Sequence, residues 1–366
     1  MQFEIDRDEL LRPLQLVIGV VERRQTLPVL SNVLLGLEPG RLSVTATDLE
    51  VELQAKVELD TEESGSVTVP ARKLMDIVRN LPEGSRVSLG READRVVLKA
   101  GRSRFALTTL PADDFPVVDA IEASHRIMVP QAQLRWLIEK SHFAMALQDV
   151  RYYLNGLLFE LDPQRLRGVA TDGHRLAMSE LAPALDIETP SQVIVPRKGV
   201  QEILRLLDHS ESAVELVLGP GHVQLALPDI RFTSKLIDGR FPDYQRVIPT
   251  EDGPCAVVDR EMLRKALVRA SILSNEKYRG VRFAFEADQL QIQSNNPEQE
   301  EAVEEIPATF SGEPVEIGFN ASYMMDALAA IDDANVHIYV RDGSSSALIV
   351  GENHGDARYV VMPMRL

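Results

Sequence analysis

Three times along its 366 residues this chain runs through the same succession of segments. The opening segment FEIDRDELLRPLQLVIGVV (3–21) has counterparts in IMVPQAQLRWLIEKSHFAMA (127–146) and AVVDREMLRKALVRASILS (256–274), each a short strand leading into an apolar-periodic helix. LSNVLLGLEPGRLSVTATD (30–48), YLNGLLFELDPQRLRGVATD (153–172) and GVRFAFEADQLQIQSNN (280–296) follow, each a hairpin of two alternating strands around a polar turn. A third set, VTVPARKLMDIVRNL (67–81), VIVPRKGVQEILRLLD (193–208) and EIGFNASYMMDALAAID (316–332), again runs strand into helix. SRFALTTLPADDFP (103–116), IRFTSKLIDGRFPDY (230–244) and ARYVVMPMRL (357–366) close each round. Any one set is a weak match, but four sets in one order, three times over, define a repeat.

Each unit therefore reads strand, helix, hairpin, strand, helix, strands. Short links make the strands mostly antiparallel, and two helices per unit cover a sheet, an α+β arrangement. Asp6 with Glu9 has capping-box spacing, Pro130 suits a first helical position, Pro70 and Pro196 open two other helices, and Asn320 suits an N-cap. Pro13 should kink or interrupt the first helix. Linkers are expected at 117–124 and 248–254, both polar and rich in turn formers.

Charge points first one way and then the other. With 39 basic and 56 acidic residues the chain stands at −17, which by itself argues against a polyanionic partner. Yet helices drawn at 6–20, 70–81, 130–146, 196–208, 259–271 and 320–332 carry fourteen basic and eleven acidic side chains, so they are net +3 and the rest is −20. For any single helix this is an ordinary solvated face. Repeated over three units, it also fits an acidic body with a basic layer on one surface. The apolar and charged fractions, 45% and 26%, are those of a globular chain rather than a disordered one. No apolar run approaches the length of a spanning helix, MQFEIDRDEL lacks the regions of a signal peptide, and a single cysteine, Cys255, excludes an internal disulfide framework. A cytoplasmic protein with no membrane contact is expected.

Catalytic motifs are missing. The chain has no phosphate-binding Gly-x-x-x-x-Gly-Lys, no Gly-x-Gly-x-x-Gly, no His-Glu-x-x-His and no Gly-x-Ser-x-Gly. Asp172 and His174, in Ala170-Thr171-Asp172-Gly173-His174-Arg175-Leu176, are the best acid–base pair available, and a polar turn explains them as well. Cys255 reads as structural. The acidic run 298–305 reads as a solvated edge, or as the complement of a basic one such as 101–104. The tail 359–366 is apolar to its last residue, so it completes a strand or lines a pocket.

Several stretches together carry a resemblance that covers the whole chain: Thr26-Leu27-Pro28-Val29-Leu30, Val69-Pro70-Ala71-Arg72-Lys73, Gly101-Arg102-Ser103-Arg104-Phe105, the segment from Gln148 to Gly156, the segment from Ala170 to Leu176, Asp238-Gly239-Arg240-Phe241-Pro242-Asp243-Tyr244, Leu273-Ser274-Asn275-Glu276-Lys277 and the ending from Tyr359. The sequence resembles the bacterial DNA polymerase III beta subunit family of processivity sliding clamps. The resemblance implies an α+β fold of three repeated DNA-clamp domains (1–124, 125–253, 254–366), each with two helices packed on antiparallel sheet. Two chains would join head to tail as a homodimeric closed ring, helices inside. The ring would encircle double-stranded DNA without sequence preference, be loaded by the ATP-dependent clamp loader, and tether the DNA polymerase III core and other polymerases and repair proteins carrying clamp-binding peptides. Catalytic residues, cofactors and metals are not expected.

Three sites follow from the resemblance, residue by residue. DNA contact would fall to Arg24, Arg72, Lys73, Gln148, Tyr152, Tyr153, Arg197 and Lys198, with the two tyrosines equally readable as core or strand residues. The dimer interface would set Arg102, Arg104, Phe105 and Leu107 of one protomer against Ile272, Leu273, Glu298, Glu300, Glu301 and Glu304 of the other. A pocket for partner peptides would be lined by Leu154, Thr171, Gly173, His174, Arg175, Leu176, Pro242, Arg246, Val247, Tyr278, Asn320, Tyr323, Ser346, Val360, Met362, Pro363, Met364, Arg365 and Leu366. Met and Pro suit an adaptable apolar slot, and polar groups orient the peptide.

Overall fold

A computed structural model describes residues 1–22, 27–118, 121–182, 185, 187, 189–353 and 355–365. Repeat one runs β1 (Gln2–Asp6), α1 (Arg7–Val17), β2 (Asn32–Glu38), β3 (Arg41–Thr47), β4 (Val51–Glu58), β5 (Gly65–Pro70), α2 (Ala71–Asn80), β6 (Arg86–Glu92), β7 (Arg95–Ala100) and β8 (Ser103–Thr108). Repeat two follows as β9 (His125–Pro130), α3 (Gln131–Glu139), β10 (Gly156–Asp162), β11 (Arg165–Thr171), β12 (Arg175–Leu181), β13 (Ser191–Pro196), α4 (Arg197–Leu206), β14 (Ala213–Leu218), β15 (His222–Leu227) and β16 (Ile230–Lys235). Repeat three is β17 (Cys255–Asp259), α5 (Arg260–Ala270), β18 (Gly280–Phe285), β19 (Gln289–Asn295), β20 (Glu301–Phe310), β21 (Val315–Asn320), α6 (Ala321–Ala330), β22 (Asn335–Tyr339), β23 (Ala347–Gly351) and β24 (Ala357–Val361).

The hairpin read from sequence is the first part of a three-stranded meander. Of the third strands, β4 and β12 escape the alternation rule because residues such as Val51-Glu52-Leu53 and Leu176 to Ser179 are buried on both faces. The third strand of the last repeat, β20, alternates in burial but carries Glu304 on its inner face and Pro307 on its outer one. Every repeat builds two four-stranded antiparallel sheets, and sheets of adjacent repeats then fuse. β4 pairs with β16 from Val51↔Ser234 to Ala55↔Ile230, giving one eight-stranded sheet. β12 pairs with β24 from Arg175↔Val361 to Ser179↔Ala357, within a twelve-stranded sheet. Each junction thus joins the first residues of a meander's third strand to the last strand of the next repeat.

Two compact units result. One comprises residues 1–130, 201–206 and 212–236, the other 131–200, 207–211 and 237–366. In the first, α1 buries Leu10, Leu11, Pro13, Leu14 and Val17, and Pro13 does not interrupt it. The proline ring lies on the core face, and that burial offsets the hydrogen bond its missing N–H cannot make. In the second, α3 ends at Glu139 instead of 146, and His142–Ala144 tightens into a 3₁₀ turn.

Strand-to-helix junctions correct two expectations. Asp6 makes no side-chain cap; its carboxylate faces Arg86 at 3.3 Å instead. Pro70, Pro130 and Pro196 are the last strand residues rather than first helical ones, opposite Asn32, Ala213 and Gly156 respectively. Proline's φ suits the extended junction as well as the first turn, so the boundary moves by one residue. Asn320 does cap α6, accepting from the N–H groups of Ser322 (2.9 Å) and Tyr323 (3.3 Å).

An arginine on the first helix of each repeat satisfies carbonyls at the end of the second. Arg7 Nε donates to Val78 O (3.0 Å) and Nη2 to Arg79 O (2.6 Å). Arg135 Nη1 donates to Leu207 O at 2.8 Å, and Arg260 Nη1 to Ile331 O at 2.9 Å. These carbonyls have no intrahelical partner, and a cation beside them also complements the helix dipole. Part of the basic charge counted on the helices is therefore committed to holding them together.

Candidate functional site

The turn between β11 and β12 is built by its own side chains. Thr171 Oγ1 donates to Arg175 O (2.6 Å) and accepts from Gly173 N–H (3.1 Å), while Asp172 Oδ1 accepts from His174 N–H (2.9 Å) and Arg175 N–H (3.0 Å). Repeat one uses the same device: Thr47 and Asp48 make the matching four bonds to Leu49, Glu50 and Val51. Gly173 at φ 88° corresponds to Leu49 at φ 79°. The shared Ala-Thr-Asp is thus a turn motif, and Asp172 spends its carboxylate on backbone donors and on Arg175 Nε at 3.1 Å. An acid–base role for Asp172 and His174 has no support in this geometry. Among the described residues no cluster of His, Cys, Asp or Glu is arranged to hold a metal. Burial pushes the Cys255 thiol up, away from nucleophilic character.

Arg175 ties this turn to repeat three. Its guanidinium pairs with Asp172 and Asp326, donates from Nη2 to Phe143 O at 2.9 Å, and lies 4.5 Å from the Tyr323 ring centroid. Burial raises the Tyr323 hydroxyl, which stays protonated. Beside it the tail is docked by its backbone: Met362 N–H donates to His174 O and Met364 N–H to Gly318 O, both at 2.9 Å. Thr171, Gly173, His174, Arg175, Asn320, Tyr323, Met362, Pro363 and Met364 therefore gather around one place, with His174 and Met362 exposed.

A cleft of about 400 Å³ adjoins Met362, running between 246–253 and 339–346, and includes Arg246, Val247 and Ser346. Leu154, Leu176 and Val360 lie 1%, 4% and 2% exposed. Leu176 and Val360 belong to the core cluster with Tyr244, Tyr339 and Leu348, so they support the site from below rather than face its opening. Pro242 borders a separate, smaller cleft with Glu160 and Gln192. Tyr278 is exposed, its carbonyl accepting from Asn320 Nδ2 at 3.2 Å; Arg365 is exposed as well, and Leu366 lies outside the described residues.

The candidate interface residues lie on or beside two open strand edges. β8 pairs with β7 alone among the described strands, with Arg102 and Arg104 exposed and Leu107 buried. In β20, residues 301–307 pair only with β19, since contact with β17 begins at Ala308. Ile272 is 74% exposed just beyond α5, and Glu298, Glu300 and Glu301 are exposed. Glu304 differs: Arg269 of its own chain holds it through two hydrogen bonds, which keeps its carboxyl below the usual range. Sequence reasoning also passed over Val303, 52% exposed on β20.

Of the DNA candidates, Arg24 lies outside the described residues. Arg72 and Lys73 are exposed on α2, although Arg72 Nη2 donates to Val21 O at 2.8 Å. Gln148 and Tyr152 are exposed on the loop before β10; Tyr153 packs on the core, 5.8 Å from Tyr152 ring to ring. Arg197 Nη1 donates to Met145 O at 3.2 Å, and it and Lys198 are half-buried.

Comparison with known proteins decides what this arrangement belongs to. Family models described as the N-terminal, central and C-terminal domains of the DNA polymerase III beta subunit match residues 1–119, 128–243 and 245–365. The chain is 53% identical to the beta sliding clamp of Pseudomonas putida and 48% identical to that of Escherichia coli K12, over the full length of both chains in each case. The crystal structure of the DNA polymerase III subunit beta from Pseudomonas aeruginosa superposes with a TM-score of 0.97 at 52% identity, again covering both chains completely. This chain belongs to the DNA polymerase III beta subunit family. It is a processivity sliding clamp, not an enzyme, and its relation to DNA synthesis is through DNA and polymerase.

Several residues of this clamp chain went unread in sequence. Arg151 braces the Asp172 carbonyl (Nη2 to O, 3.3 Å) and stood within the quoted segment 148–156, so a signal existed. Phe143, Asp326 and Arg341 carried none, because only tertiary packing brings them to the turn, the pocket and the cleft.

Proposed function

We propose that two copies of this chain close head to tail into a ring around duplex DNA, three domains per chain at 1–124, 125–253 and 254–366. One observation carries this reading: the two open edges match the two closed junctions. Val51 to Ala55 of β4 and Arg175 to Ser179 of β12 are each covered by the last strand of another repeat. The corresponding start of β20, residues 301–305, is uncovered, and β8 is the one last strand that covers nothing among the described residues. A β8 edge bearing Arg102 and Arg104 and a β20 edge bearing Glu301 complement each other in charge, and a contact between unlike ends closes a ring when used twice. The apolar groups Phe105, Ile272 and Leu273 supply most of the affinity, Leu107 being already buried in its own chain, since exposed ion pairs add little.

DNA is held by encirclement and by backbone electrostatics through Arg24, Arg72, Lys73, Arg197 and Lys198, with Gln148 and Tyr152 offering polar groups, Tyr153 bracing Tyr152 from the core, and no base readout. The polymerase III core, the clamp loader, and other polymerases and repair proteins dock short apolar peptides on the surface around His174, Tyr323, Met362 and Met364, in the cytoplasm. Retention on nicked circular DNA with rapid loss after linearisation tests encirclement; equal loss from both forms would sink it. Deleting Met364 to Leu366 should abolish binding of a Gln-Leu-x-Leu-Phe peptide and leave the dimer intact, read by fluorescence anisotropy and sedimentation.

A further inference from the structure

The cleft beside Met362 reaches beyond the peptide pocket, and its charge is one-sided. Apolar groups of Val247, Ile248, Pro249 and Tyr339 line it, and the only ionised side chains that line it are Arg246 and Arg341. The neighbouring carboxylates are turned into their own loops. Asp342 accepts from the N–H groups of Ser344 (2.7 Å) and Ser345 (2.8 Å) and from both hydroxyls, which holds its carboxyl at about 2. Asp252 accepts from Thr250, and Asp243 pairs with Arg246 Nε at 2.6 Å. Arg341 is exposed and makes no direct ion pair among the described residues, although its charge helps hold the nearby Asp252 carboxyl below its usual range.

We propose that this cleft takes an acidic side chain of the partner peptide, flanking the segment held at Met362, and that Arg341 is the residue that selects it. The proposal rests on the peptide-pocket reading above. A guanidinium over an apolar floor favours a carboxylate carried on a peptide, whose neighbouring side chains cover Val247 and Pro249. A bare phosphate backbone would leave that floor uncovered.

The test uses the full-length protein and three synthetic peptides: a Gln-Leu-x-Leu-Phe core with two glutamines at each end, and the same core with two glutamates replacing the glutamines at one end or the other. One glutamate-flanked peptide should bind about two- to fivefold tighter than the neutral one, and the preference should shrink between about 0.05 and 0.5 M salt. Arg341→Gln should remove the preference without changing affinity for the neutral peptide, and Arg341→Glu should invert it. Equal affinities for all three peptides in the unaltered protein, or a preference that survives in Arg341→Gln, overturn the proposal while leaving the pocket intact. If no core peptide binds, the pocket reading fails and the proposal falls with it. Displacement of a single-stranded oligonucleotide that depends on Arg341, with no peptide preference, would assign the cleft to nucleic acid and refute the proposal.

Discussion

A β-carbon on Gly173 would lie 2.8 Å from Arg151 Nη2, and the backbone there sits at φ 88°. Leu49 tolerates the same left-handed conformation in repeat one, so backbone strain alone is survivable. Gly173→Ala should cost about 1–2 kcal/mol in a denaturant titration and weaken the core peptide, because Arg151 must leave the Asp172 carbonyl. Glu52 presents the opposite problem: a carboxylate 3% exposed, accepting from Val118 N–H at 2.8 Å, whose pKa burial raises. A raised carboxyl pKa means the ionised form is disfavoured in the fold, so Glu52 destabilises at neutral pH and is relieved as pH falls through its folded pKa. Glu52→Gln keeps an acceptor and should raise the unfolding midpoint at pH 7 by about 1–3 °C. That gain should vanish in acid. Asp342 and Glu261, both held at about 2, have the reverse sign. Their contribution is complete above the ordinary carboxylate range near 4 and is lost as pH falls toward 2, so Asp342→Asn should flatten the acid limb of a midpoint-against-pH curve.

At the scale of elements, helix ends are held by side chains from elsewhere in the repeat. Asn320→Ala should cost about 1 kcal/mol of stability and also loosen peptide binding, since Tyr323 sits in the first turn that Asn320 caps. Asn320→Asp keeps the cap and should restore the stability in thermal melts. The sequence pattern located the six helices, five of them to within about three residues at each end and α3 seven residues too long, because apolar periodicity is a local property. It missed β4 and β12, because a strand buried on both faces loses its alternation, and burial on both faces is decided by what packs there. It missed β20 because the acidic residues 301–305 and Pro307 mask an alternation that the fold does show.

At the scale of the molecule, β8 at the end of the four-stranded sheet and the first half of β20 in the twelve-stranded one lack a partner on one side, among the described residues, where their counterparts in other repeats have one, and the ring reading predicts their use. Changing Ile272 and Leu273 together to alanine should shift the protein from twice 40.7 kDa toward 40.7 kDa in sedimentation equilibrium at micromolar concentration. An unchanged mass would refute the interface. Charge changes meaning at this scale too. Within the observed bounds the helices carry thirteen basic and seven acidic side chains, a stronger excess than the sequence ranges suggested. Arg7, Arg135 and Arg260 nevertheless spend theirs on carbonyls and Arg205 on Glu202, so the charge left for DNA is smaller than the count.

The repeat, the α+β class, the strand-to-helix junctions and the absence of catalytic motifs were legible in the chain itself, since each depends on spacing along it. The resemblance carried the candidate sites by position: residues 171–176 and the tail were readable as motifs, while Arg72 and Lys73 were readable as charge. Tertiary structure alone decided which of them face outward. Leu176 and Val360 proved to be floor, Glu304 proved to be held by Arg269, and Arg341 came to border Met362. Exposure and pairing depend on contacts between residues far apart in sequence, and no periodicity along the chain records them.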